Sequence, residues 1–371
     1  MKEERDFAGF VLPFAAGTFF TTGSYTSVCQ HIPHVETCFF LMTSLCLAVL
    51  MHPKTRADGS FVLNAVIALS GLSAGALIGF TSTVMETGST DPSLFNWMEA
   101  AGAGLGHAID NIDFSDTGTN ALLKALIIGD KENIPEDMAE SFRISGASHI
   151  LALSGFHLGI IYGIFSWALS WMGGHKRIGI LRSIIIISLC GLYALCTGAG
   201  ASIVRAFLFI LLGEAARLTH RNASTSSILF SAMLIQLLIT PESIHSVSFQ
   251  LSYAAMAGIA FIFPKMKSLW PEEDKGEIRE WKFLKRIWTS ASLSISCQLT
   301  TGPLAWYYFS SFPQHFLLTN LIAIPLTGFI IPAALIVLVL NTFGICPQFM
   351  LKLTEGLAEA LISSLGIIAT M

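Results

Sequence analysis

The chain has 371 residues, of which 53% are apolar and only 12% are charged, whereas a typical soluble domain has roughly 25% charged residues. This composition excludes a soluble globular domain and predicts an all-α, polytopic membrane helix bundle, because backbone amides in hydrocarbon must be satisfied within their own helix. The formal net charge of −4 does not indicate a partner by itself.

Apolar runs close to the ~20 residues that cross a bilayer recur along the chain. They occur at 8–24, 36–51, 61–84, 150–172, 181–197, 201–216, 225–240, 247–264, 286–308, 315–341 and 353–370. Because three of these runs are short, we predict about 10–11 transmembrane helices from this pattern.

The positions of Lys and Arg predict a cytoplasmic N-terminus. Short cytoplasmic loops of membrane proteins are enriched in these residues. With the N-terminus inside, 16 of the 21 basic residues lie at cytoplasmic positions. The opposite loops at 25–35, 241–246 and 309–314 hold no Lys or Arg. A single arrangement of inside and outside loops therefore fits the whole chain.

The segment 85–146 is the one long loop on the outer side, and it is acidic. It holds eleven acidic residues against three basic ones. Apolar residues in its first half have helical spacing, which predicts an amphipathic helix on the outer membrane surface. Two further helices are predicted at 118–128 and 135–143, the second with Pro135 in its first turn.

The stretch 142–159 interrupts apolar sequence with polar residues and glycines. It includes His149, Ser154, Gly155 and His157. Polar groups at membrane depth are costly and mark cavities or pathways, and glycines permit close helix packing or a broken helix. A packing seam between helices accounts for the pattern equally well.

Ser154 and His157 lie three residues apart and share one helix face, as a Ser–His hydrolase would require. No acid nearby in sequence orients the histidine, so we predict no catalytic residue and keep an intramembrane hydrolase as a minor alternative. His149 and His157 lie ~12 Å apart along an ideal helix and cannot share a metal unless the helix breaks. Neither H-E-x-x-H nor G-x-x-x-x-G-K-[ST] occurs, and we predict no metal and no cofactor.

Arg205 is the one basic residue that this topology places within a span rather than at its cytoplasmic end. An intramembrane arginine needs a water cavity, a counter-ion or a phosphate, unless it snorkels to the outer surface. Gln250 lies among hydroxyls in 246–253, and a second amide lies in 298–303. Such amides serve either a pathway or hydrogen bonds between helices.

Four of these elements occur in an order that resembles the competence domain of the ComEC family. They are A-L-L-K-A-L-I-I-G-D at 121–130, G-A-S-H-I-L-A-L-S-G-F-H-L-G at 146–159, G-A-G-A-S-I-V-R-A at 198–206 and S-F-Q-L-S at 248–252. The resemblance is strong over 118–308 and weak over 8–84. It implies an inner-membrane channel that translocates single-stranded DNA into the cytoplasm during natural transformation. The implied pathway-lining or helix-breaking residues are His149, Ser154, Gly155, His157, Arg205 and Gln250.

The resemblance also implies a setting for the chain. It predicts a multi-pass protein of the bacterial inner (plasma) membrane, with N-terminal transmembrane helices at 1–84, an acidic extracytoplasmic helical segment at 85–146 and a competence-type channel domain at 147–371. The implied partners are single-stranded DNA, membrane lipids, an external DNA receptor, a separate nuclease and a cytoplasmic motor or strand-binding protein. A homo-oligomer is left open.

Full-length members of that family resemble this chain with two added modules. One is a β-rich, OB-like extracytoplasmic domain, for which 85–146 is too short and too helical. The other is a metallo-β-lactamase-like domain, whose H-x-H-x-D-H motif does not occur here. We therefore expect a minimal member or a fragment. The alternative from another class is a secondary transporter of a small solute, which polar mid-membrane residues suit equally well.

Overall fold

The computed structural model describes residues 2–21, 92–172, 176–219, 224–270, 279–310 and 315–371. Every regular element within these ranges is helical, which confirms the all-α fold class. The apolar runs predicted at 36–51 and 61–84 lie outside the described residues. The chain divides into two compact units, Met1–Thr90 with His220–Ala260 and Asp91–Thr219 with Phe261–Met371.

Outside the run at 150–172, the helices that correspond to described apolar runs follow them closely. They are α1 (Lys2–Thr21), α2 (Pro92–Asp110), α3 (Thr117–Ile127), α4 (Glu136–Ile144), α5 (Ser148–Leu151), α6 (Gly155–Ala168), α7 (Lys176–Cys196), α8 (Ala201–Leu218), α9 (Thr225–Ile239), α10 (Val247–Ala257), α11 (Phe263–Lys267), α12 (Arg279–Phe309), α13 (Phe316–Thr342) and α14 (Gln348–Ala369). Short 3₁₀ helices cover Ser170–Met172 and Pro241–His245, and a π-helical turn, Gly258–Ile262, joins α10 to α11.

By length and composition, three helical segments of the described part can cross a membrane. They are Ile178–Cys196, Val247–Lys267 and Phe316–Thr342. Phe7–Phe19, Gly155–Ala168 and Thr225–Ile239 are apolar but shorter. The total number of spans and the cytoplasmic N-terminus stay predictions, as does the division at 84 and 146.

The smaller unit is built by α1 packing against α9 and the short helix Pro241–His245. Val11 and Phe14 of α1 are buried there. The Tyr253 hydroxyl of α10 donates a hydrogen bond to Gln236 Oε1 of α9 at 3.1 Å. A buried amide and a buried phenol thus satisfy each other between two apolar helices, as interhelical hydrogen bonds do in membranes.

The described part of the larger unit holds two hydrophobic cores. In the first, α3 lies against α13 and α14, and Leu122, Ala125 and Leu126 are fully buried. In the second, α6, α7 and α8 pack around Leu158 and Cys190. The described part of the acidic segment, 92–146, is therefore largely helical and packs through its apolar residues, while its position relative to a membrane stays a prediction.

Glycines with positive φ end the two short helices that were predicted at 118–128 and 135–143. Gly129 follows α3 with φ of +80°, and Gly146 follows α4 with φ of +81°. After Gly146, the Ala147 N–H donates to the Phe142 carbonyl at 2.8 Å, the six-to-one bond of a Schellman motif. Both predicted helices are confirmed, with ends shifted by one residue.

Replacing Gly129 with alanine is expected to lower the free energy of unfolding by about 1–2 kcal/mol, because a Cβ in this left-handed conformation is strained. That Cβ would also lie 3.1 Å from Leu153 Cβ. Gly104→Ala is the matched control, since its Cβ would meet no atom within 4 Å on helix α2. Thermal unfolding in detergent measures both variants, and equal melting temperatures would contradict the prediction.

Candidate functional site

The apolar run at 150–172 is not one helix, because the chain is extended between α5 and α6. Ala152 has φ −82° and ψ 122°, and Ser154 has φ −134° and ψ 173°. The ideal-helix separation of His149 and His157 therefore does not apply. His149 lies in α5, before the break, with its Nδ1 3.1 Å from the Gly146 carbonyl oxygen.

His157 caps the helix that it helps to begin. It is the third residue of α6, and its Nδ1 accepts a hydrogen bond from the Ser154 backbone N–H at 3.2 Å. The Ser154 Oγ lies 3.1 Å from the same nitrogen. Glu or Gln usually makes this reciprocal bond in a capping box. The Ser154–His157 spacing is thus that of a helix cap, and it requires no catalytic role.

The second ring nitrogen of His157, Nε2, points away from the helix cap and bears on ligand binding. Because Nδ1 accepts, the neutral ring carries its proton on Nε2. The side chain is fully buried, and Nε2 has no hydrogen-bond partner among the described residues. A buried donor without an acceptor costs about 1–3 kcal/mol, so this position suits a polar ligand.

Replacing His157 with glutamine is expected to leave the thermal stability close to that of the wild type, because an amide oxygen can accept the Ser154 N–H in the same way. His157→Ala is expected to lower the free energy of unfolding by about 1 kcal/mol, the usual effect of losing a cap. Thermal unfolding in detergent compares the two variants. A glutamine variant as unstable as the alanine variant would contradict the capping role.

A tight turn aligns α8 with the broken helix. Gly198 and Ala199 have φ of +77° and +48°, and the Ala199 N–H donates to the Ala194 carbonyl at 2.8 Å. Gly200 then precedes the first residue of α8. The T-G-A-G sequence is therefore the reversal between α7 and α8, which lets the start of α8 pack beside α6.

Gly155 brings the helix break into contact with α8. A Cβ on Gly155 would lie 3.2 Å from Ala206 Cβ, closer than almost all real contacts. Arg205, which precedes Ala206 in α8, is only 1% exposed, and its Nη2 donates to Ser202 Oγ at 2.9 Å. Arg205 is thus buried inside the unit and does not snorkel to the surface. We call Ser154, Gly155, His157 and Arg205, together with His149, the break site.

Gln250 lies in the smaller unit, in the first turn of α10. Its Nε2 donates to the Ile244 carbonyl at 3.0 Å. The same turn is capped by Ser246, whose Oγ accepts from the Phe249 N–H at 3.1 Å. The structure thus places Gln250 at a helix start within its own unit. A pathway role for it stays a prediction, as it does for the break site.

A second polar cluster, outside the predicted set, links α6, α7 and α8. Glu214 is 2% exposed and accepts hydrogen bonds from the Tyr162 hydroxyl and the Ser183 Oγ, both at 2.7 Å. Arg217 completes the set with an ion pair at 2.5 Å. We call these residues the Glu214 cluster. The available signal was an acid in an apolar run, three residues before an arginine.

Within the described part of the chain, no group of three or more His, Cys, Asp or Glu side chains has the arrangement to hold a metal ion. The described cysteines are all free thiols: Cys190, Cys196, Cys297 and Cys346.

Comparison with known proteins gives a family and two distant relatives. The family model described as Competence protein matches residues 126–371, which include all six predicted pathway residues. ComE operon protein 3 of Bacillus subtilis (strain 168) is 25% identical over 224 residues, covering 58% of this chain and 26% of that protein. The uncharacterized protein YcaI of Escherichia coli (strain K12) is 24% identical over 236 residues, covering 61% of this chain and 30% of that protein. The chain therefore spans less than a third of each relative, and no solved structure matches it.

Proposed function

Because this chain belongs to the Competence protein family, we propose that it translocates single-stranded DNA through a bacterial inner membrane into the cytoplasm during natural transformation. In this proposal it is a multi-pass channel subunit with a cytoplasmic N-terminus, and it is not an enzyme. The observation that carries the proposal is the break site within the family-matched region, where a broken apolar helix packs through Gly155 against Ala206, the neighbour of the buried Arg205.

The break site has the chemistry that a strand conduit needs. A path for single-stranded nucleic acid combines positive charge for phosphates with aromatic or polar surfaces for bases. Arg205 supplies a buried guanidinium, His157 a buried N–H donor and Phe156 an aromatic ring beside it, with ring centroids 5.9 Å apart. The proposed lining residues of the larger unit are therefore His149, Ser154, Gly155, His157 and Arg205. Gln250, in the smaller unit, is proposed separately as a pathway-lining residue, from its S-F-Q-L-S motif alone.

The proposal includes partners that supply what this sequence lacks. The sequence holds no phosphate-binding loop for a nucleotide, so a cytoplasmic motor or strand-binding protein must provide the driving force. The acidic segment 85–146 repels phosphate, so a separate receptor captures DNA outside the membrane. A separate nuclease would remove the other strand, and membrane lipids surround the bundle.

Deletion of the gene in a competent host tests the proposal. We expect transformation by purified linear DNA to be lost and then restored by the gene supplied in trans. Electroporation of a plasmid, which bypasses the uptake pathway, is the control and should be unaffected. Unchanged transformation by purified DNA after deletion would refute the proposal.

One observation also favours a secondary transporter of a small solute. Broken helices with buried polar groups at the break are typical of such transporters, and α5 and α6 have this arrangement. Thermal unfolding of the purified protein with added ligands distinguishes the two proposed functions. Thermal stabilisation by an oligonucleotide favours the DNA conduit, whereas stabilisation by a small solute alone favours the transporter.

A further inference from the structure

The Glu214 cluster holds an arginine in a fixed, half-exposed position. Arg217 Nη2 donates to Glu214 at 2.5 Å and to Ser183 Oγ at 3.0 Å. The Arg217 side chain is nevertheless 44% exposed, while Glu214 is 2% exposed. The buried carboxylate therefore fixes one edge of the guanidinium and leaves the rest of the group directed toward the surroundings of the helix end.

Arg182 of α7 lies at the same end of these helices. Its Nη2 donates to the Ser166 carbonyl at 2.8 Å and to Ser166 Oγ at 2.9 Å. Arg217 Nη2 donates to the Oγ of Ser183, the residue that follows Arg182, so both arginines lie at the same end of α7. The Nε of Arg182 is buried and has no hydrogen-bond partner within the described ranges.

The two arginines carry more charge than their hydrogen-bonded neighbours neutralise. Among the described residues, Glu214 is the one carboxylate bonded in this cluster, and it balances one of the two guanidinium charges at this end of α6, α7 and α8. A buried Nε–H without an acceptor adds an unsatisfied donor. The guanidinium presents its donors in a planar fork that matches the oxygen atoms of a phosphate. The arrangement therefore suits an anion with several acceptor oxygens.

Exposed tryptophans indicate the membrane depth of this site. Trp167 directly follows Ser166 and is 80% exposed. Trp171 lies about one turn further along the chain and is 83% exposed. Tryptophan is enriched at the membrane–water interface, at the level of the lipid headgroups. The distribution of Lys and Arg in the sequence predicts that this end faces the cytoplasm. Anionic lipids and the basic residues that attract them are typical of that leaflet.

We infer that Arg182 and Arg217 bind the phosphate of an anionic phospholipid headgroup at the cytoplasmic membrane surface. Glu214 is then a positioning residue that orients Arg217 and does not touch the lipid. The site is separate from the break site, and it requires only that the chain lies in a membrane. It therefore stands whether the transported substrate is DNA or a small solute.

Native mass spectrometry of the purified full chain in non-ionic detergent tests this inference, with phosphatidylglycerol as the titrated lipid and phosphatidylcholine as the neutral comparison. Arg182→Gln is expected to weaken phosphatidylglycerol binding at least about tenfold, the effect of losing a charge-assisted hydrogen bond to the phosphate. Lys265→Gln, which removes an equal charge from the exposed Lys265 of α11, is the matched control and should bind as the wild type. Equal affinities of the wild type and Arg182→Gln would overturn the inference.

Two additional measurements test the geometry of the site and the source of the phosphate. If Arg182→Gln fails to fold, Arg182→Lys keeps the charge and removes the planar fork; we expect intermediate affinity, and wild-type affinity would contradict the fork geometry. Titration with oligothymidylate and with inorganic phosphate identifies the molecule that carries the phosphate. Arg182→Gln could lose oligothymidylate binding while its phosphatidylglycerol binding stays unchanged. That result would show that the arginines bind nucleic-acid phosphates, and it would overturn the inferred lipid site.

Discussion

Replacing Arg205 with glutamine is expected to reduce the amount of DNA that reaches the cytoplasm by at least about tenfold, while DNA still accumulates outside the membrane. The guanidinium is 1% exposed and lies next to the contact between Gly155 and Ala206. Hydrogen bonds to charged groups contribute about 1.5–3 kcal/mol, and a difference of ~1.4 kcal/mol is tenfold. Glutamine keeps polarity and much of the volume, so the loss of charge dominates the effect.

The matched control for Arg205 is Arg143→Gln, which removes the same charge from an exposed helix. Arg143 donates from Nε to Glu140 at 2.8 Å on the surface of α4. That hydrogen bond also lowers the pKa of the Glu140 carboxyl. Import of fluorescent DNA, measured at matched membrane levels, should be normal in this variant. Normal DNA import in Arg205→Gln as well would indicate that Arg205 serves only helix packing, and it would favour the solute transporter.

Replacing Arg217 with alanine is expected to lower the free energy of unfolding by about 2–3 kcal/mol. Removal of one partner of a buried ion pair typically costs about 3–5 kcal/mol, and the half-exposed position of Arg217 reduces that effect because water partly screens the pair. Glu214 would remain buried with hydrogen bonds from Tyr162 and Ser183 but without a cation. Denaturation in detergent, followed by tryptophan fluorescence, measures the change.

The electroneutral double variant Glu214→Gln with Arg217→Gln tests the cause of that loss. It removes both charges and keeps polar side chains that can bond to Tyr162 and Ser183. We expect it to be more stable than Arg217→Ala, because no uncompensated charge is left inside the helices. A double variant that is less stable than Arg217→Ala would contradict the electrostatic cause.

Hydropathy and local turn chemistry predicted much of the helical architecture. The apolar run at 315–341 became α13, and the predicted helix at 118–128 became α3, because both signals depend on residues close in sequence. The end of α3 was also predicted, because Gly129 is a local signal for the end of a helix. The break between α5 and α6 was not located, since a Ser–His pair three residues apart fits a helix face and a helix cap equally well.

The Glu214 cluster was missed because its members are distant in sequence. Tyr162 lies 52 residues and Ser183 lies 31 residues from Glu214. Neither residue has a local pattern that indicates a buried carboxylate nearby. Arg205 was identified because a charge inside an apolar run is visible locally, but its burial depends on how the helices pack, which requires the fold.

The most direct test of a DNA path through the break site is photo-cross-linking of DNA to that site during uptake. Phe156 is replaced with p-benzoylphenylalanine, and Trp171, at an exposed helix end, is replaced in the same way as the control. Illumination of competent cells importing radiolabelled DNA should give a protein–DNA adduct from position 156 and little or none from position 171. If position 156 forms adducts only with lipid or protein, while DNA still reaches the cytoplasm, the strand does not pass the break site and the proposed path is wrong.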